Sequence, residues 1–298
     1  MIKKKTQGMK FILIFVLIAL IVLFAVSFIV FALVGSVSFN SVALIPIKGE
    51  ISNFGSAGFT AEELAEEIHS ACGNSSISAV VLDIDSGGGS VVATKQIVYE
   101  IRDCEKPVVS YIGEIGASGA YYVASATDFI YADSDSFVGS IGVISFIPNV
   151  EGLMEKIGVE MQVLTAGEFK DMGSPFRELT EEEKVLFEEL LQEVYFQFRS
   201  DVLEFREGKL TEMNLAQVDD GRIVSGRTAL KLNLIDEIGR KKDAINKAAE
   251  LAGISSDPNV IKIEKEEFSL SDIFLKAGLS FGKGFVNSFA SDNVKVNA

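Results

Sequence analysis

Two near-continuous apolar runs, each closed by glycines and followed by a helical stretch, constrain the fold of this chain most. Residues 77–84 read Ile-Ser-Ala-Val-Val-Leu-Asp-Ile and end in Asp85-Ser86-Gly87-Gly88-Gly89-Ser90, after which a helical pattern runs to about Asp103. The second run, Val108-Val109-Ser110-Tyr111-Ile112, leads into a glycine-containing turn over 113–119 and a helix over about 120–126. Apolar strands without alternation are expected where both faces of a sheet are covered. Alternation of strand and helix implies right-handed crossovers and a mostly parallel sheet. Ligands bind such sheets beyond the carboxyl ends of the strands, where both glycine turns lie.

The flanking segments fit the same class. Residues 42–47 read as a first strand, and Thr60-Ala61-Glu62-Glu63 has the form of a capping box opening a helix to Ala71. Short strands are expected around 129–131, 143–144 and 161–164. A long amphipathic helix enters at Thr180-Glu181-Glu182-Glu183, with Leu186, Leu190, Leu191, Val194, Phe198, Val202 and Phe205 on its apolar side. Asp220 to Arg227 form a turn before a helix over 228–231. Residues 255–298 are weakly patterned and read as a tail with a short amphipathic helix near 270–289.

Residues 11–34 are apolar apart from Ser27. Twenty-four helical residues span roughly 36 Å, against about 30 Å of hydrocarbon core. The run is longer than a secretory leader's apolar core, so an uncleaved anchor is expected, although Gly35-Ser36-Val37 is small enough for a cleavage site. Lys3, Lys4, Lys5 and Lys10 belong on the cytoplasmic side, which puts everything after Val34 outside the cytosol. The domain reading is a basic terminus over 1–10, an anchor over 11–34, a body over 40–254 and the tail. The chain carries −15 at neutral pH, and without those four lysines −19. A body so acidic argues against nucleic acid as a partner. Cys72 and Cys104 would sit where disulfides are permitted, and the sequence leaves open whether they pair. Neither has metal-ligand spacing.

Ser118 lies in Gly116-Ala117-Ser118-Gly119-Ala120, where a substrate carbonyl can approach a hydroxyl with little side-chain bulk around it. A lone segment of this kind also reads as a plain turn. The chain has a single histidine, His69, in an acidic helix, so the common base for a serine nucleophile is missing. A lysine base must have its amine desolvated or near positive charge to be neutral. Lys170, in a loop after an expected strand, is one candidate; Lys95, in the helix after the triple glycine and expected to face solvent, is the other. Spacing alone does not choose. Gly87-Gly88-Gly89 lacks the pattern of a phosphate loop, but its bare backbone suits an oxyanion hole.

Five ordered segments resemble those of the signal peptide peptidase A family of membrane-anchored Ser/Lys peptidases. They are Asp85-Ser86-Gly87-Gly88-Gly89, Ala117-Ser118-Gly119-Ala120-Tyr121-Tyr122, Gly139-Ser140-Ile141-Gly142-Val143-Ile144, Lys170-Asp171 with Ser174-Pro175-Phe176-Arg177, and Asp220-Gly221-Arg222 through Asp236-Glu237-Ile238-Gly239. The likeness covers about residues 42–250. It implies a crotonase/Clp-protease-like α/β fold of repeated ββα units with a mostly parallel sheet, preceded by one transmembrane helix. It also implies Ser118 as nucleophile, Lys170 as general base, Ser140 orienting the lysine, and N–H groups of Gly119 and of Gly88 or Gly89 as oxyanion donors. No cofactor or metal is implied. Substrates would be hydrophobic peptides such as remnant signal peptides, cut by a ring- or dome-shaped homo-oligomer whose dyad is completed within or across subunits. Gly87 stands where the family has proline, and Ala120 where it has glycine. Two other functions fit the pattern: a membrane-tethered adaptor with a degenerate site, and a crotonase-like acyl-transfer enzyme.

Overall fold

The computed structural model describes residues 18–28, 41–54, 59–255 and 257–265. One compact unit ends at Ile263, and a second, Glu264–Ala298, is described only at its first two residues. The first half of the body alternates strand and helix as far as α4 and then adds two strands: β1 (Ser41–Lys48), α2 (Ala61–Gly73), β2 (Ile77–Ser86), α3 (Val91–Asp103), β3 (Val108–Ala117), α4 (Gly119–Ser125), β4 (Phe129–Ala132) and β5 (Phe137–Gly139). Then come α5 (Glu151–Ile157), α6 (Glu181–Phe205), α7 (Glu212–Leu215), β6 (Ile223–Ser225), α8 (Gly226–Lys231), β7 (Glu237–Ile238), α9 (Lys241–Leu251) and β8 (Asn259–Lys262). Residues 18–28 form helix α1.

The strands make one sheet in the order β6-β5-β3-β2-β1-β8, with β4 beside β3 and β7 beside β4. Every pairing is parallel except β5 with β6. The α/β class and mostly parallel sheet expected from the sequence are therefore found. The repeat is one strand and one helix as far as α4, and only β4 and β5 follow in tandem.

Both faces of the sheet are covered, which is why β1 and β2 are apolar without alternation. Ala43, Ile45, Leu82 and Ile84 pack on α2, α3 and α4, while Val42, Leu44, Ala79 and Val81 meet α9. The α9 face is Ala244, Ala248 and Ala249, small side chains that let the helix lie close to the strands. Thr60 makes the full capping box read from its sequence, and Thr180, the expected entry of the long helix, makes one as well. Cys72 and Cys104 form a disulfide, tying the end of α2 to the end of α3. Lys106 completes that corner by donating to the carbonyls of Ala71 (3.0 Å) and Asn74 (2.6 Å).

Three expectations fail. Residues 113–117 are not a turn but the second half of β3, pairing with β5 through Ile115↔Phe137 and Ala117↔Gly139. No strand forms at 143–144 or 161–164; both stretches lie open, with Ile144 at 72% and Leu164 at 98% exposure. Residues 259–262, read as tail, add β8 to the sheet edge beside β1. The expected apolar side of α6 does face the body: Val202 is buried, Leu186, Leu191, Val194, Phe198 and Phe205 are half-buried, and only Leu190 is exposed. Among the described residues no helix is long and apolar enough to cross a membrane. Most of the expected anchor over 11–34, and the expected helix near 270–289, lie outside the described residues.

Candidate active site

The chain leaves β3 at Ala117 and enters α4 through Ser118, which holds φ 52° and ψ −124°. A non-glycine residue in such a conformation costs about 1–3 kcal/mol and persists only where its neighbours impose it. Here the Ser118 N–H donates to the Gly139 carbonyl (2.8 Å), and the Ser118 carbonyl accepts from the Tyr122 N–H (3.0 Å). Serine at a helix N-cap usually turns its hydroxyl onto the first turn. Ser118 makes no such bond. Instead it lines a cavity of about 100 Å³ together with Gly89, Gly119 and Tyr122.

Two glycines make this approach possible. Gly88 lies at φ +96°, and a Cβ there would stand 2.6 Å from the Gly119 nitrogen and 2.9 Å from the Ser118 Cβ. A Cβ on Gly119 would lie 2.6 Å from the Thr94 hydroxyl oxygen and 3.4 Å from the Gly89 nitrogen. The triple-glycine turn and the serine turn are thus in van der Waals contact. Of the two oxyanion donors left open by the sequence, the Gly88 N–H is already given to the Ser86 hydroxyl (3.1 Å). Gly89 lines the cavity, and so does Gly119, whose N–H as the first of a helix has no partner within that helix.

Asp85 holds this arrangement from behind. Its carboxylate accepts from Lys48 Nζ (2.5 Å) and from the Glu114 N–H (2.5 Å), bracing the end of β2 against both β1 and β3. Burial would raise its pKa, but Lys48 and the Glu114 N–H outweigh it and hold the carboxyl below its usual range. A Cβ on Gly113 would collide with that carboxylate, so glycine there serves close approach in a strand. This is why residues 113–117 continue as strand.

The remaining cavity walls come from α3, α6 and the chain after β5. Val91, Thr94 and Lys95 stand on α3, Val194 and Phe198 on α6, and Gly142, Val143 and Ile144 follow the Gly139-Ser140 turn. Tyr122 is fixed against this wall by its hydroxyl bond to Asp201 (2.5 Å) and by edge-on packing with Phe198 at 5.1 Å. Lys95, expected to face solvent, is instead half-buried on the cavity wall. Ser140, at φ 53°, follows Gly139, the residue that pairs with Ala117, so its turn adjoins the serine turn. Lys170 is exposed and is not among the residues that line the cavity.

The profile of peptidase family S49 matches residues 100–255. This chain belongs to that family. A Methanocaldococcus jannaschii protein is 37% identical over 212 residues, covering 70% of this chain and 67% of its own length. The chloroplastic serine protease SPPA of Arabidopsis thaliana is 33% identical over 239 residues, 78% of this chain but 35% of the relative. Protease 4 of Haemophilus influenzae is 29% identical over 79% of this chain and 39% of its own length. Among solved structures, a serine-to-alanine mutant of the 1510-N membrane-bound stomatin-specific protease superposes with a TM-score of 0.50. It is 14% identical, over 76% of this chain and 99% of that one, a likeness of fold alone.

In this S49 peptidase the segment bearing Lys170 is fastened by Arg177. Arg177 donates to both carboxylate oxygens of Asp171 (2.9 and 3.0 Å) and to both of Glu183 (2.8 and 2.5 Å). Arg177 holds the Asp171 carboxyl below its usual range, and Arg177 with the Thr180 N–H holds Glu183 down to about 2. The neighbour of Lys170 is thereby tied to the first turn of α6. Sequence reasoning missed this clamp, although Asp171, Arg177 and Glu183 recur at six-residue intervals with alternating charge. It also missed Thr94 and the α6 wall, because nothing local in a helix says which turn will face a distant serine.

Proposed function

We propose that this serine-type peptidase is a membrane-anchored endopeptidase with Ser118 as nucleophile and Lys170 as general base. The observation that carries the reading is the Ser118 turn: a backbone held at φ 52°, a hydroxyl spared from capping, and Gly89 and Gly119 beside it in a largely apolar cavity. Neutral Lys170 takes the Ser118 proton, Ser118 Oγ attacks the peptide carbonyl, and the resulting oxyanion is bound by the Gly89 and Gly119 N–H groups. Collapse expels the amine, which takes the proton back from Lys170, and a water deprotonated by Lys170 then hydrolyses the acyl-enzyme and frees Ser118. Each hydrogen bond in such a hole is worth about 2.7–4 kcal/mol in the transition state. Ser140 orients the lysine.

Lys170 lies off the cavity wall of its own chain, on a segment rich in exposed apolar side chains, including Phe146 and Leu164. This supports a homo-oligomer, ring- or dome-shaped, in which Lys170 reaches the Ser118 of a neighbouring subunit. The Cys72–Cys104 bridge supports a body outside the cytosol, tethered by residues 11–34, since disulfides persist in oxidising compartments. The apolar walls suit hydrophobic peptides, remnant signal peptides among them.

The test is hydrolysis of casein and labelling by a fluorophosphonate probe, with the full-length protein in detergent. Wild type should do both. Ser118→Ala should lose both, and Lys170→Ala should lose hydrolysis while keeping its melting temperature. Full activity in either variant would sink the dyad. Binding of casein without cleavage would mark an adaptor, and thioester turnover without peptide hydrolysis an acyl-transfer enzyme.

A further inference from the structure

The cavity beside Ser118 is apolar on most of its surface, with Val91, Tyr122, Ile144, Val194 and Phe198 facing it, and it contains one charged residue, Lys95. Among the described residues the Lys95 side chain has no ion pair and no hydrogen bond. Lys156, Lys170, Lys231, Lys242 and Lys262 have none either but are exposed, whereas the other half-buried lysines are held: Lys241 by Asp83, Lys247 by Glu250, and Lys106 by the Ala71 and Asn74 carbonyls. Lys95 is therefore the one half-buried lysine among the described residues that has no partner, in a chain with 42 acidic and 27 basic residues. Its position is fixed by the same elements that build the site. The helix α3 starts directly beyond Gly89, and Lys95 follows Thr94, whose hydroxyl lies against Gly119.

Resting on the peptidase reading above, we infer that Lys95 selects substrates: the peptide that fits this cavity carries an aspartate or glutamate next to its apolar residues. An ammonium held on an apolar wall without a partner gains most from a charged acceptor. The apolar walls offer it none, so the acceptor comes with the substrate. The surrounding negative charge repels acidic peptides at long range, which confines the attraction to a carboxylate that reaches Lys95 itself. A preference of about tenfold in kcat/KM, equivalent to about 1.4 kcal/mol, fits one ion pair at the wall of an apolar cavity.

The test uses the full-length protein and fluorogenic peptides of one apolar sequence, in which each position on either side of the scissile bond is in turn Glu, Gln or Lys. The expected result is one position where Glu exceeds Gln about tenfold. Lys95→Glu should invert that position to favour Lys, and Lys95→Gln should level it. Cleavage with no charge preference at any position overturns this inference alone. So does a preference that survives Lys95→Glu unchanged. Loss of all hydrolysis in Lys95→Gln, with an unchanged melting temperature, would also overturn it, because Lys95 would then serve the chemistry instead of selection. A wild-type protein that cleaves none of the peptides overturns the peptidase reading and this inference with it.

Discussion

Replacing Gly88 by alanine should cripple the site while leaving the fold standing. The new Cβ would lie 2.6 Å from the Gly119 nitrogen, 2.9 Å from the Ala117 carbonyl oxygen and 2.9 Å from the Ser118 Cβ. Ordinary Cβ contacts begin near 3.4 Å, so the serine turn must retreat by 0.8 Å, the difference between 3.4 and 2.6 Å. The positive φ of 96° adds backbone strain of about 1–2 kcal/mol for any L side chain. A misplacement of about 1 Å between reacting groups costs roughly 100-fold, or about 2.7 kcal/mol of barrier. Gly88→Ala should thus lower kcat/KM on a fluorogenic peptide by about two orders of magnitude and slow fluorophosphonate labelling of Ser118 in parallel. Gly87 is the internal control, since a methyl added there would meet nothing within 4 Å and its φ is not positive. Gly87→Ala should stay within about twofold of wild type. Equal activity of the two variants would refute the packing argument.

Two further predictions concern stability. The Cys72–Cys104 bridge spans 32 residues, so Cys72→Ala with Cys104→Ala should cost about 3–4 kcal/mol and lower the melting temperature by roughly 10 °C. A reductant should do the same to wild type, and a drop below about 2 °C would mean the constraint is not felt. Asp236 faces Arg206, whose side chain is 1% exposed, at 2.8 Å. Burial alone would raise the Asp236 carboxyl, but Arg206 and the Ile130 N–H bring it below its usual range. Its contribution is therefore complete above about pH 4 and is lost as pH falls through the depressed value. Asp236→Ala should cost about 3–5 kcal/mol by stranding a buried guanidinium, and should flatten the acid limb of stability; an unchanged acid limb in urea titrations would contradict this.

The parts of the fold legible in the sequence are those where local chemistry and the final environment agree. The β2 strand is apolar because both its faces are covered, and the capping boxes at Thr60 and Thr180 act within four residues, so pattern and outcome coincide. The failures share one cause, a partner distant in sequence. Gly113 and Gly116 look like a turn, yet Asp85 and β5 hold them extended. The stretches 143–144 and 161–164 have strand composition but pair with no strand of the sheet. The site divides the same way. Ser118, Gly89 and Gly119 come together through turns whose glycines can be read directly, whereas Lys95 entered the cavity wall through the course of α3, which its own sequence does not disclose.

That division bears on where the base comes from. If Lys170 acts on Ser118 of the same chain, it must reach a cavity that it does not line, and the Arg177 tie between Asp171 and Glu183 limits this by fixing its neighbour to α6. If it acts on the next subunit, the tie helps, because it presents Lys170 outward at a set place. The two arrangements differ in a mixing experiment. Ser118→Ala chains keep the lysine, Lys170→Ala chains keep the serine, and neither is active alone. In a head-to-tail ring assembled from equal amounts of both, a working site needs a serine-bearing chain followed by a lysine-bearing one, which random order supplies at about a quarter of the interfaces. Co-refolded mixtures should therefore regain about a quarter of wild-type hydrolysis, with the yield peaking at equal proportions. A dyad closed within each chain gives none at any proportion, and that outcome would place the burden on Lys170 reaching the cavity of its own chain instead.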